Sequence, residues 1–139
     1  MTEQAGVPIQ LKIMSTFKHP GSKMTQEYQR ANGSMYFKDQ KRFLRFEERT
    51  EEVTQTLVKF EGSGGYIRRR GIADMRIEFE LGQKTKGHYT MHGHTMPLEV
   101  YTSRIIHTLG HDRIEYSLFQ DDQKMGDYTI DYHYTEVTE

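Results

Sequence analysis

The feature that most constrains this chain is an alternation of apolar and polar residues with a period of two. Met75, Ile77, Phe79 and Leu81 alternate with Asp74, Arg76, Glu78 and Glu80. Ile9, Leu11, Ile13 and Phe17 share one parity, and Gln10, Lys12, Thr16 and Lys18 hold the other. Ile114, Tyr116 and Leu118 repeat the pattern, as do Tyr128, Ile130, Tyr132 and Tyr134. Successive side chains of a strand point to opposite faces, so each run reads as a strand with one dry and one wet side. Weaker runs cover 25–31, 34–38, 42–48, 54–61, 66–70, 87–92 and 98–107.

Turn chemistry falls between the runs. His19-Pro20-Gly21-Ser22 combines the fixed φ of proline with the freedom of glycine. Lys38-Asp39-Gln40-Lys41, Gly62 to Gly65, Gly71, Gly82 to Thr85, Gly93 to Thr95, Leu109 to Asp112 and Gln120 to Lys124 supply the other connections. No segment carries the apolar stripe of a helix. The run Glu47 to Glu52 comes nearest, but it is polar throughout and reads as a charged turn. Connections this short suit a meander, and a meander of many strands has exposed edges unless it closes. The expected fold is all-β: a single antiparallel up-and-down β-barrel of about 8–10 strands. It would occupy residues 1–139, with 1–7 as a flexible N-terminus. A two-sheet sandwich is the alternative.

Composition narrows the function classes. The chain has 139 residues, 12% of them aromatic, which sets it apart from disordered sequences. It has no cysteine, which removes disulfides, thiolate nucleophiles and cysteine metal sites together. Nineteen basic residues against 20 acidic ones leave no global charge excess to recruit nucleic acid or an anionic membrane. The start of the chain lacks the apolar run of a secretory signal, and no window reaches the roughly 18 apolar residues of a membrane helix. A cytoplasmic location without nucleic-acid or membrane partners is the expectation.

One distributed pattern resembles a known family. It comprises Ile67-Arg68-Arg69-Arg70-Gly71, Met75 to Gly82, Gly87-His88-Tyr89-Thr90-Met91, Leu98 to Thr102, Ile114 to Leu118 and Gly126 to Tyr132, after an opening Pro8 to Ile13. In this order the segments resemble the YwiB-like family, a bacterial domain of unknown function from Gram-positive organisms. The resemblance spans roughly Val7 to Val137. It implies a lipocalin-like (calycin-like) barrel, and it implies no function, since fold alone does not carry one.

Three groups of residues could carry chemistry. Arg69 shares parity with Ile67, so it is placed at the barrel interior or mouth, where a guanidinium needs a carboxylate, carbonyls or an anionic ligand. Arg68 and Arg70 then face solvent, opposite Glu78 or Glu80. Tyr89, Tyr116 and Tyr132 fall on apolar faces and would line the same interior. They are equally the rings of a filled core. His88, His92 and His94 would share one face if 87–95 were a single regular strand. His92 and His94 would then lie about 7 Å apart, and Glu99 could complete a metal site. A glycine between them argues against that regular strand.

No nucleophile elbow or phosphate loop is present, and no catalytic residue or cofactor is expected. The leading expectation is a non-enzymatic barrel that binds a small anionic or amphipathic molecule through Arg69, Tyr89, Tyr116 and Tyr132. The alternatives are a homo-oligomeric structural or regulatory interaction module, and a metal-assisted enzyme built on the three histidines.

Overall fold

In the computed structural model, which describes residues 6–137, alternation has become ten strands. They are β1 (Val7–Lys18), β2 (Thr25–Lys38), β3 (Lys41–Arg49), β4 (Val53–Glu61), β5 (Gly64–Arg70), β6 (Asp74–Glu80), β7 (Lys84–Met91), β8 (His94–Thr108), β9 (His111–Gln120) and β10 (Gln123–Glu136). Each pairs antiparallel with its predecessor, and β1 pairs with β10 as well as β2, so the sheet closes into an up-and-down barrel. Of the stretch expected to be a flexible N-terminus, residues 1–5 lie outside the described residues, and Val7 already opens β1 opposite Met35. Among the described residues no helix is long and apolar enough to cross a membrane.

Tight turns set the register. Asp39 and Gln40, His92 and Gly93, and Asp121 and Asp122 all have positive φ at both central positions. That is the geometry of two-residue hairpin turns whose twist matches the flanking strands. Residues 25–38, which read as two strands broken near Asn32-Gly33, form one continuous β2. Gly33 is a point of close approach: a Cβ there would lie 2.3 Å from the Arg45 carbonyl oxygen and 2.8 Å from the Phe46 Cβ. The charged stretch read as a turn from Glu47 begins inside β3, which runs on to Arg49.

The inward faces meet in a core of Ile9, Leu11, Leu44, Val58, Ile67, Ile77, Val100 and Ile114, each 1% exposed or less. β8 shifts register between Thr102 and Arg104, so Thr102 faces inward opposite Tyr116 while Ile105 meets Ile114 and His107 meets Asp112. That bulge re-aims the end of the strand.

The two ends of the barrel differ. At the end carrying the β2–β3 and β8–β9 turns, fully buried Asp112 accepts two hydrogen bonds from Arg42, Nη1 to Oδ2 at 2.7 Å and Nη2 to Oδ1 at 2.5 Å. His107 Nδ1 lies 2.6 Å from Asp112 Oδ1, and Arg42 Nη1 also donates to the Tyr134 hydroxyl at 3.2 Å. The guanidinium sits 4.6 Å over the Phe60 ring, which meets the His107 ring nearly at right angles with centroids 4.9 Å apart. Burial opposes the charge on Arg42, but the hydrogen bonds and charge of Asp112 outweigh it and raise the arginine's pKa. A paired, multiply hydrogen-bonded cluster of this kind plugs the closed end. Asp112, read as part of a turn, is instead an inward residue of β9.

Candidate functional site

The opposite end is hollow. Between the β1–β2, β5–β6, β7–β8 and β9–β10 turns the barrel opens into a cavity of about 570 Å³. That is within the range of small-molecule sites, roughly 300–1,000 Å³. Its walls include Ile13, Phe46, Ile67, Leu98, Leu118, Tyr116 and Tyr132, and its rim includes Phe17, His19, Met75, Tyr89, Met96, Met125 and Tyr128. Arg69, Tyr89, Tyr116 and Tyr132 all line it. Each comes from a different strand and reaches the cavity because inward parity is kept along β5, β7, β9 and β10.

The polar centre of the cavity is Glu48, whose side chain is almost wholly buried. It accepts from Arg69, with Nε to Oε2 at 3.0 Å and Nη2 to Oε1 at 3.3 Å, from Gln29 Nε2 at 2.5 Å, and from the Thr56 hydroxyl. Arg69 is half-exposed and spends only part of its five-donor fork on this carboxylate. Among the described residues Nη1 donates to no protein acceptor, and the buried Gln29 Oε1 has no donor. Nη1 is thus left for a ligand, whereas Gln29 Oε1 is shut off from solvent without a donor.

Aromatic rings line the rest. Tyr116 and Tyr128 stack with centroids 5.3 Å apart, Phe17 packs on Tyr128, and Phe46 lies 6.0 Å from Tyr132. Burial raises the pKa of Tyr116 and Tyr132 well above the ordinary phenol value and raises that of Tyr128 as well. These rings stay neutral and present an apolar body with a polar tip. His19 is pinned at the rim by its Nδ1, 3.0 Å from the Met125 carbonyl.

Glu48, Gln29 and Thr56 were not anticipated from the sequence. Their one signal was parity: Glu48 continues the apolar face of Leu44 and Phe46. The other charged expectations resolve differently. Arg68 lies across from Arg76 rather than a carboxylate, while Glu78 and Glu80 oppose Tyr66 and Gly64. His88, His92 and His94 do not share a strand face, because β7 ends at Met91 and His92-Gly93 is the turn. His88 points outward opposite Arg76, and His94 opens β8 opposite Met91. The three imidazoles that sequence spacing grouped are therefore dispersed by the hairpin. Among the described residues the group whose ligating atoms do converge is His111, Asp131 and His133, on the outer face. A second concavity of about 720 Å³ lies outside the barrel between Lys12, Arg30, Arg49 and His133. It borders outward side chains and lacks the enclosing rings of the inner cavity.

Comparison with known proteins adds the fold and little chemistry. The family described as a domain of unknown function, DUF1934, matches residues 11–131. The crystal structure of the ywiB protein from Bacillus subtilis is similar over 98% of this chain and 96% of that one, at 22% identity and a TM-score of 0.76. No curated protein matches the chain.

Proposed function

The chain belongs to the DUF1934 family, whose description assigns no activity, and from its cavity we propose that the protein is a non-enzymatic binder of a small amphipathic molecule with an anionic head. The observation that carries this reading is the asymmetry of the barrel: one end is plugged by Arg42 and Asp112, and the other holds about 570 Å³ lined by Arg69 and aromatic rings. Holding one small ligand in the mouth of a closed barrel is a recurring use of such an architecture, and a calycin-like assignment belongs with this reading. The apolar part of the ligand packs on Phe46, Tyr116, Leu118 and Tyr132. Its head accepts hydrogen bonds from Arg69 Nη1. Glu48 neutralises the guanidinium at depth and holds its plane, so the remaining donors face the mouth in a fixed orientation.

The test is calorimetric titration with decanoate, an anionic amphipathic probe, and with decylamine, its cationic counterpart. Decanoate is expected to bind one per barrel and more tightly than decylamine. Ser15→Trp, which fills the cavity from a small inward position of β1, is expected to abolish binding. Decanoate binding unchanged by Ser15→Trp would refute the cavity as the site. Decylamine binding as tightly as decanoate would refute the head-group assignment.

A further inference from the structure

Outside the barrel, at its closed end, β9 and β10 bring together a group of side chains that the cavity does not use. His111 and His133 are register partners across the two strands, and their rings lie parallel, 4.1 Å apart with an interplanar angle of 4°. Asp131 sits two residues before His133 on the same face of β10 and places Oδ1 2.7 Å from His111 Nε2. Nitrogen and oxygen ligand atoms from all three residues lie within 4.8 Å of one another. We infer that His111, Asp131 and His133 form a binding site for a divalent transition-metal cation of the zinc class.

The chemistry of the set selects the ion. Two imidazoles and one carboxylate suit zinc and its first-row neighbours, whereas calcium and magnesium want an all-oxygen shell. Around a tetrahedral ion at about 2.1 Å the ligand atoms stand roughly 3.4 Å apart. The β9–β10 ladder holds the backbone of all three residues, so the present spacing would close to that value by rotation of the side chains, the two stacked imidazoles turning toward the ion. His111 and Asp131 are partly buried, and His133 is exposed, so the ion would keep its remaining positions open to solvent. Three protein ligands with an open position is the arrangement of reactive rather than purely structural zinc.

The surroundings set the strength. Arg113 Nε lies 3.6 Å from Asp131 Oδ1, and Lys12 is the register partner of His133 on β1. Two cations beside the site oppose a third, so the affinity expected is micromolar rather than the much tighter binding of closed structural sites. The site is independent of the cavity, which opens at the other end of the barrel.

The test uses full-length protein without a polyhistidine tag, titrated with Zn²⁺ by calorimetry and with Co²⁺ by visible absorption. One equivalent of Zn²⁺ is expected, with visible Co²⁺ bands that Zn²⁺ bleaches and Mg²⁺ does not. His133→Ala, at an exposed position that leaves the fold intact, and Asp131→Asn should each weaken binding by at least about tenfold. Simultaneous replacement of His88, His92 and His94 by alanine should leave it unchanged. Absence of saturable Zn²⁺ binding at micromolar protein would overturn the site. So would one-equivalent binding that survives His133→Ala or disappears with the three distant histidines.

Discussion

Arg69 on β5 reaches past β4 to Glu48 on β3, with Nε 3.0 Å from Oε2 and Nη2 3.3 Å from Oε1. The pair spans the wall of the cavity, its carboxylate almost wholly buried and its guanidinium half-exposed. Because Arg69 is half-exposed, its ion pair is solvent-screened and contributes little to stability. Its geometric role is larger: Glu48 sets the direction of the donors that remain.

Arg69→Met tests the binding role directly. Chemical denaturation should show a loss of about 1–3 kcal/mol, because Gln29 and Thr56 still donate to Glu48 while its buried charge loses its counter-ion. Decanoate affinity should fall by at least about tenfold, the loss of one charge-assisted hydrogen bond. Unchanged affinity in this variant would remove Arg69 from the site.

The closed end should behave in the opposite way. Asp112→Ala leaves the Arg42 guanidinium and His107 without their buried acceptor, and should cost about 3–5 kcal/mol. The double change Arg42→Met with Asp112→Leu replaces the pair by apolar side chains and should be much less damaging than the single one. A urea-denaturation cycle measures both. A single-variant loss below about 1 kcal/mol would show that the plug is not a structural element.

Alkaline pH should destabilise the barrel through its buried phenols. Tyr116 and Tyr132 have folded-state pKa values raised by burial above the unfolded value near 10. The unfolded chain thus releases these protons first. The stability tied to them is fully present below about pH 10 and is lost as pH rises above it, by about 1.4 kcal/mol per pH unit for each phenol. Stability measured by denaturation between pH 9 and 11.5 should fall steeply in the wild type and less steeply in the Tyr116→Phe, Tyr132→Phe double variant. Equal slopes would contradict the assignment.

Much of this was legible because a strand's two faces are written into its sequence. The cavity residues Tyr89, Tyr116 and Tyr132, and the guanidinium of Arg69, could be placed inward from parity alone, and turn spacing pointed to a closed meander. Three things could not be read that way. Gly33 looked like a break because sequence does not show that β3 passes within contact of it. Asp112 looked like a turn residue, and Glu48 like the junction of a weak strand with a charged turn, because a charged side chain on an inward face makes sense only beside its partners, which are 70 and 21 residues away in Arg42 and Arg69. His88, His92 and His94 looked like a cluster because spacing along one chain is visible, whereas the cross-strand meeting of His111 with His133 depends on register. Position within a strand is a local property, and pairing between strands is not.

The measurement that most directly tests the hollow end as a ligand site is methyl NMR of protein labelled with ¹³C at methionine, titrated with decanoate. Met75, Met96 and Met125 line the cavity, whereas Met14 is exposed on the outer face of β1. Saturable shifts at the first three methyls, with Met14 unmoved, are the expected result. Shifts only at Met14, or none at saturating decanoate, would contradict it.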